Sequence, residues 1–225
     1  MMNNILDLPS SANDSSDVDC VLDSYSLQEQ RLAVVLDWLQ QHHARSVLDL
    51  GCGSGDLLAY LEDLSRLDHI VGIDVREDAL AHARDSLSQS MGAGDGRIEL
   101  VHGSFTDTTL LLQGFDAGVM LETIEHVDPG QLSLVERAVF GSYRPTHILV
   151  TTPNREYNVL YGLPPGAFRH PDHRFEWDRS QFRHWALGVA LRNGYSVRFN
   201  DIGPPDVIYG APTQLAAFRI TTSHL

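Results

Sequence analysis

Glu122, Glu125 and His126 stand at i, i+3 and i+4 in the stretch Leu121-Glu-Thr-Ile-Glu-His126. Read as the first turn of a helix, this spacing puts two carboxylates and an imidazole on one face. Like charges that close repel, so a solvated helix gains nothing from them. A bound divalent cation reverses the sign of the interaction. Two carboxylate oxygens and an imidazole nitrogen suit a hard or borderline ion such as Mg²⁺ or Mn²⁺. The plainer reading is an acidic helix start favoured by the macrodipole. Two further histidines, His170 and His173, lie in Arg169-His-Pro-Asp-His-Arg-Phe-Glu-Trp177, a loop from which a fourth ligand can reach the acidic cluster.

These residues need elements to position them. Apolar positions Leu32, Val35, Leu36 and Leu39 recur at helical spacing between Gln28 and His42. Ser46-Val-Leu-Asp-Leu50 then reads as a strand running into Gly51-Cys-Gly-Ser-Gly55, with a helical pattern over Leu57–Leu67. Strand, glycine turn and helix in that order begin a doubly wound α/β domain. The third glycine comes one residue too early for a dinucleotide fingerprint, and Asp49 at the turn would repel a pyrophosphate while suiting an ammonium. The next strand, His69–Ile73, ends at Asp74, 23 residues after Gly51, where an acid takes ribose hydroxyls. Asp49, Gly51, Gly53 and Asp74 together read as an S-adenosylmethionine pocket, with Gly103-Ser104-Phe105 at the adenine.

The expected order continues with a helix over Glu77–Ser88, a turn over Gly92–Gly96, and strands over Arg97–Val101 and Phe115–Leu121. The second of these delivers Glu122–His126 to the rim of the glycine turn. A helix over Gln131–Phe140 and a strand over Thr146–Thr151 bring Asn154 to the same rim. Residues 155–177, punctuated by Gly162, Pro164, Pro165, Gly166 and Pro171, read as an irregular insertion. A helix over Ser180–Arg192 and strands over Tyr195–Asn200 and Gln214–Ile220 close a Rossmann-like, mostly parallel seven-stranded sheet. Residues 1–26, rich in Ser, Asp and Asn, read as a disordered lead-in, and residues 27–225 as one domain.

Bulk properties exclude several classes. The 225 residues contain 43% hydrophobic side chains and no run long enough to span a bilayer. No signal peptide is read at the N-terminus, and two cysteines, Cys20 and Cys52, are not a disulfide framework; a cytoplasmic location is expected. The net charge of −14 argues against a nucleic-acid partner until its distribution is considered. Residues 1–140 carry 24 acids against 7 Arg, whereas residues 141–200 carry 8 Arg against 4 acids. All 16 basic residues are Arg, the better bidentate phosphate binder. Arg169, Arg174 and Arg179 are the candidates for an RNA-binding face with strong salt dependence.

Glu122-Thr-Ile-Glu-His126, Thr151-Thr-Pro-Asn154 with Glu156-Tyr-Asn158, and Arg169–Trp177 together resemble the small-RNA 3′-terminal 2′-O-methyltransferases. That family spans plant microRNA, animal piRNA and bacterial RNA-repair enzymes, and the likeness, covering about Leu27 to Arg219, is strongest to the bacterial branch. The resemblance implies one Mn²⁺ or Mg²⁺ on Glu122, Glu125, His126 and His173, completed by the two hydroxyls of the terminal ribose. It implies a cofactor pocket from Arg31, Asp49, Gly51, Gly53, Asp74 and Ser104, with Arg31 reaching the methionine carboxylate or the substrate. Asn154, Arg169, His170 and Arg174 are the substrate-side candidates. It also implies a kinase–phosphatase–ligase repair partner. The bacterial branch carries this domain behind a large N-terminal region, so the chain is expected to be an excised domain or a stand-alone version. Asp178 follows Trp177 where the family usually has Thr.

The chemistry agrees with the resemblance. Coordination to a dication lowers the pKa of a ribose hydroxyl and orients it toward a sulfonium methyl, with His126 or His170 as the proton acceptor. Binding both vicinal hydroxyls would reject DNA ends and 3′-phosphates without reading bases. Two other classes stand beside this one: a metal-assisted methyltransferase of a small vicinal diol such as a catechol, and a non-catalytic RNA-binding module.

Overall fold

The computed structural model describes residues 26–91 and 96–221. Residues 1–25 of the lead-in expected over 1–26, including Cys20, and turn residues 92–95 lie outside the described residues. Ser26 opens the first helix, α1 (Leu27–Gln41), through a reciprocal cap. The Glu29 N–H donates to Ser26 Oγ at 3.3 Å, and the Ser26 N–H to the Glu29 carboxylate at 2.7 Å. The helix buries Leu32, Val35, Leu36 and Leu39, the face its period predicts.

Seven strands follow: β1 (Ser46–Leu50), β2 (His69–Asp74), β3 (Ile98–His102), β4 (Ala117–Met120), β5 (His147–Pro153), β6 (Tyr195–Ile202) and β7 (Thr213–Ile220). They form one sheet in the order β3-β2-β1-β4-β5-β7-β6, in which β7 runs antiparallel to both neighbours. The doubly wound, mostly parallel sheet is therefore the one expected. Its alternation builds two cores: Leu48, Leu50, Val71 and Ile73 face one side, Val47 and Ile70 the other. The second side is covered by α1, α2 (Asp56–Glu62) and α3 (Glu77–Met91). The first is covered by α4 (Leu132–Val135) and α5 (Arg179–Asn193). No helix of the described residues is long and apolar enough to cross a membrane.

Two elements depart from their expected form. The helix expected over Leu57–Leu67 ends at Glu62, and Leu64 and Leu67 bury themselves from the turn beyond it. The helix expected over Gln131–Phe140 has only one α-helical turn and then widens into a π-helix over Glu136–Tyr143. The wider turn places Ala138, Val139, Phe140 and Tyr143 in the core together. Asp178 is the N-cap of α5: Gln181 N–H donates to its Oδ1 at 2.8 Å, and the Gln181 side chain accepts from the Asp178 N–H at 3.2 Å. A threonine can serve the same cap, so the family departure at this position changes no architecture.

The C-terminal ends of β1, β2, β4 and β5 share one rim, where open α/β sheets bind ligands. At the end of β1 the turn hooks onto β2 through Gly51 N–H and Cys52 N–H, which both donate to Ile73 O at 2.8 and 3.0 Å. Gly51 (φ +87°) and Gly53 (φ +53°) are both left-handed, but their surroundings differ. A Cβ on Gly51 would meet Thr123 Cγ2 at 2.3 Å, whereas one on Gly53 would meet nothing within 4 Å. Gly51→Ala is expected to destabilise the fold by at least about 1–3 kcal/mol. Gly53→Ala is expected to cost no more than the backbone strain, but to lose cofactor affinity because its Cβ enters the ligand space. Chemical denaturation and cofactor titration of the two variants separate these effects.

Candidate active site

Glu122 follows β4 with φ +50°, a left-handed conformation uncommon outside glycine. The expected helix start over Leu121–His126 is instead this kink followed by a single 3₁₀ turn, Ile124–His126. The kink is held by the Glu122 N–H, which donates to Thr151 Oγ1 of β5 at 2.9 Å. It removes Glu122 from the face shared by Glu125 and His126. Its carboxylate turns to α1, where Arg31 pairs with it at 2.6 Å; Arg31 also donates to Thr213 Oγ1 at 2.9 Å. Left-handed backbone at a bulky residue persists only where neighbours over-determine it, and it clusters at functional sites.

Glu125, His126 and His173 come together, with one ligand atom from each lying within 4.8 Å of the others. Glu125 is fully buried; Thr152 Oγ1 donates to its Oε2 at 3.0 Å, and Oε1 has no partner among the described residues. Burial, and then the Glu122 charge, push the Glu125 carboxyl well above the ordinary carboxylate range. Glu122 is also raised by burial, partly offset by Arg31, and its Oε1 likewise has no partner among the described residues. Burial and the neighbouring His173 lower His126, which keeps its nitrogen lone pair available at neutral pH. One fully buried and one partly buried carboxylate with orphaned oxygens, beside two imidazoles, are a donor set that a divalent cation fits. The fourth candidate, Glu122, keeps its Oε2 on Arg31, has Oε1 without a partner among the described residues, and lies outside the 4.8 Å cluster.

The loop supplying His173 is docked by backbone: Arg174 N–H donates to Glu125 O at 2.8 Å. His173 Nδ1 donates to Glu176 Oε1 at 2.6 Å, which leaves Nε2 as the nitrogen to ligate. Glu176, 2% exposed, also accepts from Arg169 N–H at 2.7 Å and from Asn158 Nδ2 at 2.6 Å. Burial alone would raise its carboxyl, but these three hydrogen bonds hold it below its ordinary value. Glu176 and Asn158 had no assigned role in the sequence reading. The His–x–x–Glu spacing of 173 and 176 was the signal available.

Three of the sequence-derived substrate candidates are engaged in hydrogen bonds of the scaffold. Asn154 is fully buried: its amide donates to Tyr209 O and Ala211 O at 2.7 and 2.9 Å, and its Oδ1 accepts from Glu156 N–H at 3.0 Å. That side chain caps the 3₁₀ turn Arg155–Tyr161. Arg169 is spent on the scaffold, donating to Asn158 Oδ1 (2.6 Å), Pro212 O (2.7 Å) and Asn154 O. Arg179 pairs with Glu156 and donates to Ile208 O at 2.8 Å. A sequence pattern sees the positive charge of an arginine but not its partners. Arg174, by contrast, is exposed and lines the cofactor-side cavity.

Two cavities meet at the cluster. One, of about 680 Å³, is lined by Gly51, Gly53, Asp74, Ser104, Phe105 and Glu122 among others. The other, of about 510 Å³, holds Arg31, Glu125, His173 and an apolar wall. Glu122, His126 and His170 line both. Arg31, expected in the cofactor pocket, thus lies on the second cavity. In the first, Asp74 accepts from Gly53 N–H at 2.9 Å and Arg76 N–H at 2.8 Å, and Ser104 Oγ bonds Thr106 Oγ1 at 2.7 Å. Beneath the turn, Asp49 is 2% exposed, and its Oδ2 has no partner among the described residues. Burial, then the Asp74 and Asp56 charges, push its carboxyl up to about 7. A buried carboxylate oxygen with no donor fits an ammonium group.

Such a glycine turn, with acids at the ends of β1 and β2 and the strand order found here, defines a Rossmann-like S-adenosylmethionine-dependent methyltransferase. Residues 47–145 match the family described as methyltransferase domain. The chain belongs to the small RNA 2′-O-methyltransferase family. The methyltransferase domain of bacterial CtHen1 is 40% identical with a TM-score of 0.79, and the match covers 88% of this chain and 100% of that one. The small RNA 2′-O-methyltransferase of Rattus norvegicus is 35% identical over 202 residues, 86% of this chain and 51% of the relative. The chain spans about half the length of the curated relatives it matches. A chain from a Pnkp1/Rnl/Hen1 RNA repair complex shares the fold at 16% identity and a TM-score of 0.64.

Proposed function

We propose that this chain transfers the methyl group of S-adenosylmethionine to the 2′-hydroxyl of the 3′-terminal nucleotide of RNA, with one Mn²⁺ or Mg²⁺ held by Glu125, His126 and His173, and Glu122 as a fourth ligand. The observation carrying the reading is the unpartnered Oε1 of fully buried Glu125, within a ligand cluster at the junction of the two cavities. Such an ion lowers the pKa of a hydroxyl it binds and fixes its direction. Glu176 fixes the His173 tautomer and ring orientation. Asp49 receives the cofactor ammonium, Asp74 its ribose hydroxyls, and Ser104 and Phe105 its adenine. His170 is exposed and stands outside the ligand cluster, with Nδ1 accepting from Asp172 N–H at 3.2 Å. A neutral ring that accepts at Nδ1 carries its proton on Nε2, where it donates rather than receives.

The test is transfer of labelled methyl from S-adenosylmethionine to a short RNA and to catechol, each with and without Mn²⁺. Metal-dependent labelling of RNA is expected. Labelling of catechol alone would replace the reading with a small-diol methyltransferase, and RNA binding without cofactor uptake would replace it with a binding module. Arg174 is the exposed cation expected to meet phosphate. Arg174→Ala should weaken RNA binding across sequences and reduce the salt slope by about one. Arg179→Ala should leave the slope unchanged, and anisotropy titrations at several salt concentrations compare the two. We extend the proposal to RNA 3′-end protection or repair beside a kinase–phosphatase–ligase partner.

A further inference from the structure

The 510 Å³ cavity has two unlike halves. Its floor carries Glu125, His126 and His173; its outer wall carries Leu27, Pro153, Tyr161 and Leu163. Tyr161 closes the 3₁₀ turn Arg155–Tyr161, which the left-handed Gly162 (φ 69°) ends. The ring remains 49% exposed, although it is firmly mounted. The Arg169 guanidinium lies 4.9 Å over the ring, and Tyr157 meets it edge-on at 5.4 Å. Arg169 is itself fixed by Asn158, and both are tied to Glu176, the carboxylate that orients His173. One hydrogen-bond network therefore sets the aromatic wall and the ligand cluster relative to each other. An exposed aromatic held this way has lost its conformational freedom before any ligand arrives.

We infer that Tyr161, with Leu163, forms a subsite for the terminal nucleobase of the RNA. The inference rests on the proposed function: a nucleotide whose 2′- and 3′-hydroxyls reach the cluster can lay its base against the Tyr161 side of the same cavity. Aromatic stacking accepts any base, since every base has a π-face. The Tyr161 phenol makes no hydrogen bond among the described residues; Leu27, Pro153 and Leu163 line the same cavity, and Arg169 is committed to the ring and to the Pro212 and Asn154 carbonyls. The subsite therefore holds a base without reading it, and adds affinity for a nucleoside over a bare ribose diol.

The experiment compares the wild type, Tyr161→Ala and Tyr161→Phe on two RNAs: one with a normal 3′-terminal nucleotide, the other with an abasic 3′-terminal ribose that keeps both hydroxyls. Tyr161→Ala is expected to lower kcat/KM on the normal RNA about tenfold, through KM, with most of that loss absent on the abasic RNA. Tyr161→Phe is expected to behave as the wild type. A 3′-terminal 2-aminopurine should be quenched on binding to the wild type and Tyr161→Phe but not to Tyr161→Ala, whether or not methyl transfer occurs. Equal losses on both RNAs would mean a merely structural role, and no loss on either would mean no base contact; both overturn the subsite and leave the proposed function intact. Failure of the wild type to label any RNA, with cofactor bound, would reject that function and the subsite with it.

Discussion

Glu125→Ala and His173→Ala are each expected to lower RNA methylation by about 10²–10³-fold, since a lost Lewis-acid contact is worth several kcal/mol at about 1.4 kcal/mol per tenfold. The fold should survive. Glu125 brings a buried carboxylate whose Oε1 has no partner, so removing it relieves the metal-free protein of a poorly solvated group. The second readout is thermal. A ligand at a hundredfold excess over its Kd stabilises the native state by about 2.7 kcal/mol, so Mn²⁺ should raise the Tm of the wild type and not of either variant. Because burial and Glu122 raise the Glu125 carboxyl, metal uptake displaces its proton and should strengthen as pH rises. Wild-type methylation retained in either variant would end the metal account.

Asp49→Asn is expected to weaken S-adenosylmethionine binding by about 30- to 10³-fold, the usual cost of removing one partner of a buried charge pair. The pH dependence identifies the group. Its carboxyl sits at about 7 in the folded chain against 3.8 for an ordinary aspartate. Cofactor affinity of the wild type should therefore fall about tenfold per pH unit below 7 and level off above it, while the Asn variant is flat. Stability of the cofactor-free chain moves the other way. The folded state holds a proton that the unfolded state releases above 3.8, so this contribution is full below that pH and lost as pH rises through about 7. Across the window the difference is about 4 kcal/mol, at about 1.4 kcal/mol per unit, and Asp49→Asn removes it. Calorimetric titration and denaturation at pH 5 and pH 8 check both signs.

The parts of this molecule that local rules determine could be read from its sequence. Val47–Leu50 and Ile70–Ile73 are apolar runs because strands covered on both faces must be, and the glycines after β1 are required where the backbone turns left-handed beside a ligand. Asp74, 23 residues after Gly51, follows from the length of one strand–helix–strand unit. What could not be read depends on contacts across the chain. Glu122 has a helix-compatible sequence around it, yet Thr151 on β5 and Arg31 on α1 hold it in a left-handed kink. Asn154 and Arg169 resemble substrate contacts until their carbonyl partners at 209–212 are known. Glu176 is an ordinary acid in sequence and becomes the support of His173 only when the insertion folds over it.

The central claim is that the site recognises a terminal ribose by its two free hydroxyls. The most direct measurement is labelled methyl transfer to one RNA sequence with three 3′ ends: the plain 2′,3′-diol, a 2′-deoxy end and a 3′-phosphate, each with Mn²⁺. The account predicts labelling of the diol end alone. Labelling of the 3′-phosphate end at a comparable rate would contradict it, because that end lacks the second hydroxyl the cluster is proposed to hold.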